Sequence, residues 1–171
     1  MAINKTYEEL VESAKPKLTT DDCYTPENIY NVVRDYVAER YGLDPGTFVR
    51  PFYQGGDYQE EDYTGKVVVD NPPFSILRKI MNFYNENGIK WFLFTPGMST
   101  VIGTNYLEKM HICLGAAITY ENGATVRTSF ATNLEPAGIR TDPKLLNAIN
   151  AANEENRQKT KKIKNMTAWN Y

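Results

Sequence analysis

The run Val67-Val68-Val69-Asp70-Asn71-Pro72-Pro73-Phe74-Ser75 constrains this chain more than any other stretch. Three β-branched residues in succession read as a buried strand. The strand is then cut off by an acid, an amide and two prolines, because proline fixes φ and has no N–H for a ladder. In an open α/β sheet the ligand crevice lies just outside the carboxyl ends of the strands, so chemistry is expected at Asn71 to Phe74.

The residue types at this corner suit attack by the exocyclic amino group of a flat heterocycle. The lone pair of such an amine is delocalised into its ring, and it is a poor nucleophile until acceptors hold its hydrogens. The Asn71 side-chain oxygen and the Pro72 carbonyl are two such acceptors. Pro73 keeps the turn stiff, and Phe74 supplies a face on which the ring can stack. A base inside a duplex is hidden, so it would have to be flipped out to reach this corner, as methyltransferases do.

The Asn71-Pro72-Pro73-Phe74 run resembles the catalytic motif of amino-group methyltransferases that use S-adenosylmethionine, chiefly those acting on adenine in DNA. Its context, Val67 to Leu77 together with Thr128 to Leu134, is similar to the EcoRI-type and compact phage adenine methyltransferases, within a stretch from residue 22 to 134. The resemblance implies a compact α/β Rossmann-like sheet, mainly parallel with an antiparallel C-terminal hairpin and helices on both faces. It implies S-adenosylmethionine as cofactor, DNA as partner, and the cytoplasm of a bacterial or phage-infected cell. Asn71, Pro72, Pro73 and Phe74 are then catalytic. Tyr24, Thr25, Pro26, Pro51, Phe52, Gly55, Gly56, Asp57 and Asp70 are then the cofactor-binding residues.

Two departures from the pattern stand out. Arg50 occupies the place of the acid usual before the Pro-Phe pair, and the segment between the glycines and the catalytic run is short enough to reduce an α/β unit to a loop. They support a second reading, a catalytically inactive relative that binds a partner or nucleic acid. A third keeps the enzyme but makes the acceptor a protein glutamine amide.

The 171 residues are expected to form one catalytic domain over 22–142, preceded by a helical extension over 1–21 and followed by a helix and basic tail over 143–171. A net charge of −2 and a pI near 5.5 do not describe a protein that coats nucleic acid, so any DNA contact must come from a local basic patch. Arg157, Lys159, Lys161, Lys162 and Lys164 are the candidates for phosphate contact, with a solvated tail as the plain alternative. Cys23, Cys113 and the single His111 are too few for a zinc cluster, and no metal is expected. No stretch reaches the apolar length of a membrane span, and the amino terminus lacks a secretory pattern. Self-association into a homodimer stays open.

Local signals order the rest. Thr6 caps a short amino-terminal helix that Pro16 ends. Thr25 as cap and Pro26 in the first helical position open a helix carried by Ile29, Val32, Val33, Tyr36 and Val37 up to Gly42. Thr47 to Tyr53 reads as the first strand, running into Gly55 and Gly56, which let a ligand approach the backbone. Asp57 is favoured as a ribose partner over Glu60, Glu61 and Asp62. Ser75 caps a helix with Ile76, Leu77, Ile80, Met81 and Tyr84 as its apolar side, ended by Gly88. Lys90 to Thr95 is a buried strand, and a crossover over residues 100–109 leads to a strand at His111 to Leu114, with His111 at its edge. Asn122-Gly123 between strand formers signals a hairpin over residues 118–126. Thr128 to Asn133 are expected to return polar side chains to the corner.

Overall fold

The computed structural model describes residues 24–53, 56–97 and 108–168, with side chains through Ile163. The amino-terminal helix expected before Pro16, Gly55 and the crossover over 100–107 lie outside the described residues, as does the Lys164 side chain. Within them the protein is α/β, a six-stranded sheet with three α-helices.

Helix α1 (Glu27–Tyr41) buries Ile29, Tyr30, Val33 and Val37, the helical spacing read in the sequence. Gly42, at φ 64°, closes it in the left-handed conformation that glycine tolerates best. Its start differs from expectation. Pro26, not Thr25, occupies the cap position, and no side chain caps the helix. A proline at the cap removes no helical hydrogen bond, and its carbonyl accepts the Tyr30 N–H at 3.0 Å.

Strand β1 (Phe48–Val49) is far shorter than the expected Thr47 to Tyr53. Thr47 belongs to a 3₁₀ turn begun by Pro45, and Pro51, which cannot donate to a ladder, turns the chain away. β2 (Val67–Asp70) is buried throughout, with Val67 and Val69 toward α1 and Val68 toward the opposite face. A 3₁₀ turn over Phe74–Ile76 then leads into α2 (Leu77–Glu86). Ser75 sits inside that turn, so Ile76, without a side-chain cap bond, takes the cap position expected of Ser75. Leu77, Ile80, Met81 and Tyr84 give α2 its buried side. β3 (Lys90–Pro96) follows as expected.

β4 (Met110–Thr119) and β5 (Thr125–Thr132) form the hairpin that Asn122-Gly123 signals; Gly123 has φ 84° and donates to Tyr120 O at 2.9 Å. β6 (Gly138–Arg140) and the long helix α3 (Pro143–Ala168) complete the fold.

The sheet order is β1-β2-β3-β5-β4-β6. β1, β2 and β3 pair in parallel, as do β4 and β6, while β5 runs antiparallel to both β3 and β4. The sheet is therefore mixed where a mainly parallel one was expected. The antiparallel ladders around β5 are its longest, because the tight hairpin inserts the returning strand between β3 and β4. Helices cover both faces. α1 and the first half of α3 pack on one through Val33, Val37, Leu145 and Ile149, and α2 packs on the other against Val68, Trp91 and Leu93.

Candidate functional site at the carboxyl ends of β1, β2 and β3

Asp70, the last residue of β2, organises this edge. It is 2 % exposed, and its two oxygens accept backbone N–H groups from different segments. Oδ2 takes the Phe52 N–H at 2.7 Å and Oδ1 that of Asn71 at 2.8 Å. One carboxylate thus joins the turn after β1 to the corner after β2. Burial pushes its pKa up to about 6, against the pull of these N–H bonds and of Arg50. Both oxygens are engaged within the chain, which suits a brace better than a ligand contact.

At the corner itself, Pro72 is buried and Asn71, Pro73 and Phe74 are half-buried. The Asn71 side-chain oxygen is shielded from solvent. Phe74 leans on the core cluster shared by α1 and α3, so part of its ring is already in use. The Pro73 carbonyl accepts the Ile76 N–H at 3.3 Å, whereas no backbone hydrogen bond to the Pro72 carbonyl occurs among the described residues.

The other cofactor-side residues lie around the same edge. The Tyr24 carbonyl accepts the Glu121 N–H at 3.0 Å, which anchors the segment leading to α1 beside the β4–β5 turn. Thr25 is buried, and its hydroxyl has no hydrogen-bond partner among the described residues. Pro51 is buried and Phe52 half-buried, its ring stacked on Tyr58 at 5.3 Å. Gly56 packs so closely that a Cβ would collide with the Pro51 carbonyl oxygen. Its smallness thus serves the loop's own packing. Asp57 is exposed and accepts the Gln59 N–H at 2.9 Å.

Arg50 connects these pieces. Its guanidinium lies between the rings of Tyr30 and Tyr53, 3.6 and 4.2 Å from their centroids. It bonds Glu27 at 3.3 Å, and its Nε stands 3.9 Å from Asp70 Oδ1. Tyr30 is pushed up to about 12, first by burial.

Residues 128–133 divide between the two edges, because β5 runs against β3. Thr128 and Ser129 pair with Pro96 and Thr95 near the corner. Thr132 pairs with Phe92, and Asn133 braces the far end of β3, accepting the Trp91 N–H at 2.8 Å and donating to Ile89 O at 2.9 Å. Only the first two residues therefore lie at the corner edge. Thr95 was not singled out in the sequence. It lies two residues past Leu93, the partner of Asp70, and its buried hydroxyl has no partner among the described residues. A register is needed to find it.

His111 is buried inside the sheet on β4 and not at an edge. Burial and the nearby Lys109 lower its pKa, which favours the neutral imidazole. Among the described residues no group of three His, Cys, Asp or Glu side chains could hold a metal, and no helix is long and apolar enough to cross a membrane.

The basic run lies in the second half of α3. Asn153 and Asn156 tie α3 to Ala117 and Asn28, at the end of β4 that shares the corner's edge. From Arg157 to Ile163 every residue is exposed, so Arg157, Lys159, Lys161 and Lys162 project past that edge. Arg157 and Lys161 also line a groove of about 540 Å³ with Thr119. A larger cleft of about 790 Å³ opens at the opposite edge, among Tyr63, Lys66, Phe83 and Lys90, away from the corner.

Comparisons of the chain with protein-family models, with curated proteins and with solved structures found no match.

Proposed function

We propose that the protein transfers a methyl group from S-adenosylmethionine to the exocyclic amino group of adenine in DNA. The observation that carries this reading is the Asp70 brace, a single carboxylate that holds the turn after β1 and the Asn71 corner together at adjacent strand ends. A compact Rossmann-like methyltransferase core belongs to the same proposal.

Tyr24 to Pro26, Pro51 and Phe52 would hold the donor, and the buried, unpartnered Thr25 hydroxyl is the feature that fits a ligand there. When bound, the donor supplies a methyl carbon whose bond to sulfur breaks as its bond to the amine nitrogen forms. Asn71 and the Pro72 carbonyl accept the two N–H groups and return electron density to the nitrogen. Phe74 stacks on the base. The proton left on the methylated nitrogen passes to water, and His111, buried on β4, is not needed for it.

The helical basic run leaves the body at the same edge, which supports DNA as the acceptor. A second reading, a catalytically inactive binding protein, has one observation in its favour. The described residues between β1 and β2 form turns with no α-helix. Calorimetric titration with S-adenosylmethionine, followed by methyl incorporation into adenine-containing DNA, decides between them. Donor binding with incorporation supports the enzyme; no donor binding supports the second reading.

A further inference from the structure

Arg50 departs from the motif that its neighbours resemble, and its surroundings are those of a ligand contact. The guanidinium plane is held between two aromatic rings, which orients its donors without using them. One terminal nitrogen meets Glu27 at 3.3 Å. Nε is buried yet has no hydrogen-bond partner among the described residues. The nearest carboxylate oxygen, on Asp70 at 3.9 Å, is beyond hydrogen-bond reach. Asp70 is held from closer approach by its bonds to the Phe52 and Asn71 N–H groups. Two residues before Glu27, the Thr25 hydroxyl is a second buried group in the same condition.

Two buried donors awaiting an acceptor, with the Glu27 carboxylate alongside, match a zwitterion. A carboxylate would satisfy the donors and an ammonium would face the acid.

Resting on the methyl-donor reading above, we propose that Arg50 recognises the carboxylate of the donor's amino-acid end, with the Thr25 hydroxyl as its second donor. Arg50 is then a specificity-determining residue at the point where an acid would be usual.

The test is calorimetric titration of S-adenosylmethionine and of its decarboxylated analogue, which keeps the sulfonium, the adenosine and the amine. The wild-type protein should bind the intact donor about tenfold more tightly or better. Arg50→Gln should narrow that ratio to about threefold or less, with affinity for the analogue nearly unchanged. If circular dichroism shows that Arg50→Gln does not fold, Thr25→Val reads the same ratio with the guanidinium left in place, and it too should narrow. Equal wild-type affinity for the two ligands overturns the proposal, as does a folded variant that keeps the wild-type ratio. A wild-type protein that binds neither ligand overturns the donor reading itself, and Arg50's role falls with it.

Discussion

Phe52 and Asp70 are joined by a 2.7 Å hydrogen bond from backbone N–H to carboxylate, although eighteen positions separate them in the chain. The other Asp70 oxygen accepts the Asn71 N–H, so one side chain links the turn after β1 to the corner after β2.

This carboxylate gives stability a distinctive pH dependence. Its folded pKa, about 6, lies above the ordinary 3.8, so its contribution is fully present below the unfolded value and is lost as pH rises through 6. Between pH 4 and pH 7 the wild-type protein should lose on the order of 3 kcal/mol relative to Asp70→Asn, which cannot ionise. Urea unfolding of both proteins across that range measures the difference, and a flat difference would contradict the burial argument.

Asn71→Ala should lower methyl transfer to adenine by about 10²–10³-fold, with circular dichroism confirming that the variant is folded. The N–H that Asp70 holds belongs to the backbone and survives the substitution. Methyl incorporation into DNA is the assay, and activity within a few-fold of wild type would remove Asn71 from the mechanism.

Phe74→Ala should weaken DNA binding in the donor complex by about 1–3 kcal/mol as base stacking disappears. The ring also packs on the core, so this variant should lose stability as well. Phe74→Leu separates the two effects, keeping most of the packing and removing the aromatic face. Equal DNA affinity of Phe74→Leu and wild type would argue against a stacking role.

Gly56→Ala should destabilise the protein by about 1–3 kcal/mol, because its Cβ meets the Pro51 carbonyl and the loop has to shift. Thermal unfolding reads the cost. Donor affinity should fall with it, since Pro51 belongs to the proposed donor pocket.

Truncation after Asn156 should leave the core intact, because Leu145, Ile149 and Ala152 remain packed. DNA affinity should fall at every sequence tested, and the slope of log affinity against log salt should become shallower by about 0.9 for every phosphate that is no longer neutralised. Donor affinity should not change. An unaltered salt slope would make the basic turns a solvated extension.

Local signals carried much of the fold. The three valines of β2, the spacing of Ile29, Val33 and Val37 and the Asn122-Gly123 turn are each set by neighbours in the chain, and each was legible. β6 was not, since three residues beginning with a glycine show no periodicity. Nor was the true length of β4, whose register shifts between Ile112 and Ala116. The corner could be read from residue type alone, but the brace could not. Asp70 finds Phe52 through a backbone N–H that no side-chain pattern announces, and Thr95 reaches the corner only through the pairing of Leu93 with Asp70. Arg50 stood out as a departure, while its two aromatic neighbours come from separate segments.

The sheet ends at both margins in very short strands, two residues of β1 and three of β6. A longer bare margin would present a row of free N–H and C=O groups to any passing chain and invite uncontrolled stacking. Among the described residues, β1 and β6 themselves offer little template for it, so a strand added beside either would gain only two or three residues of ladder.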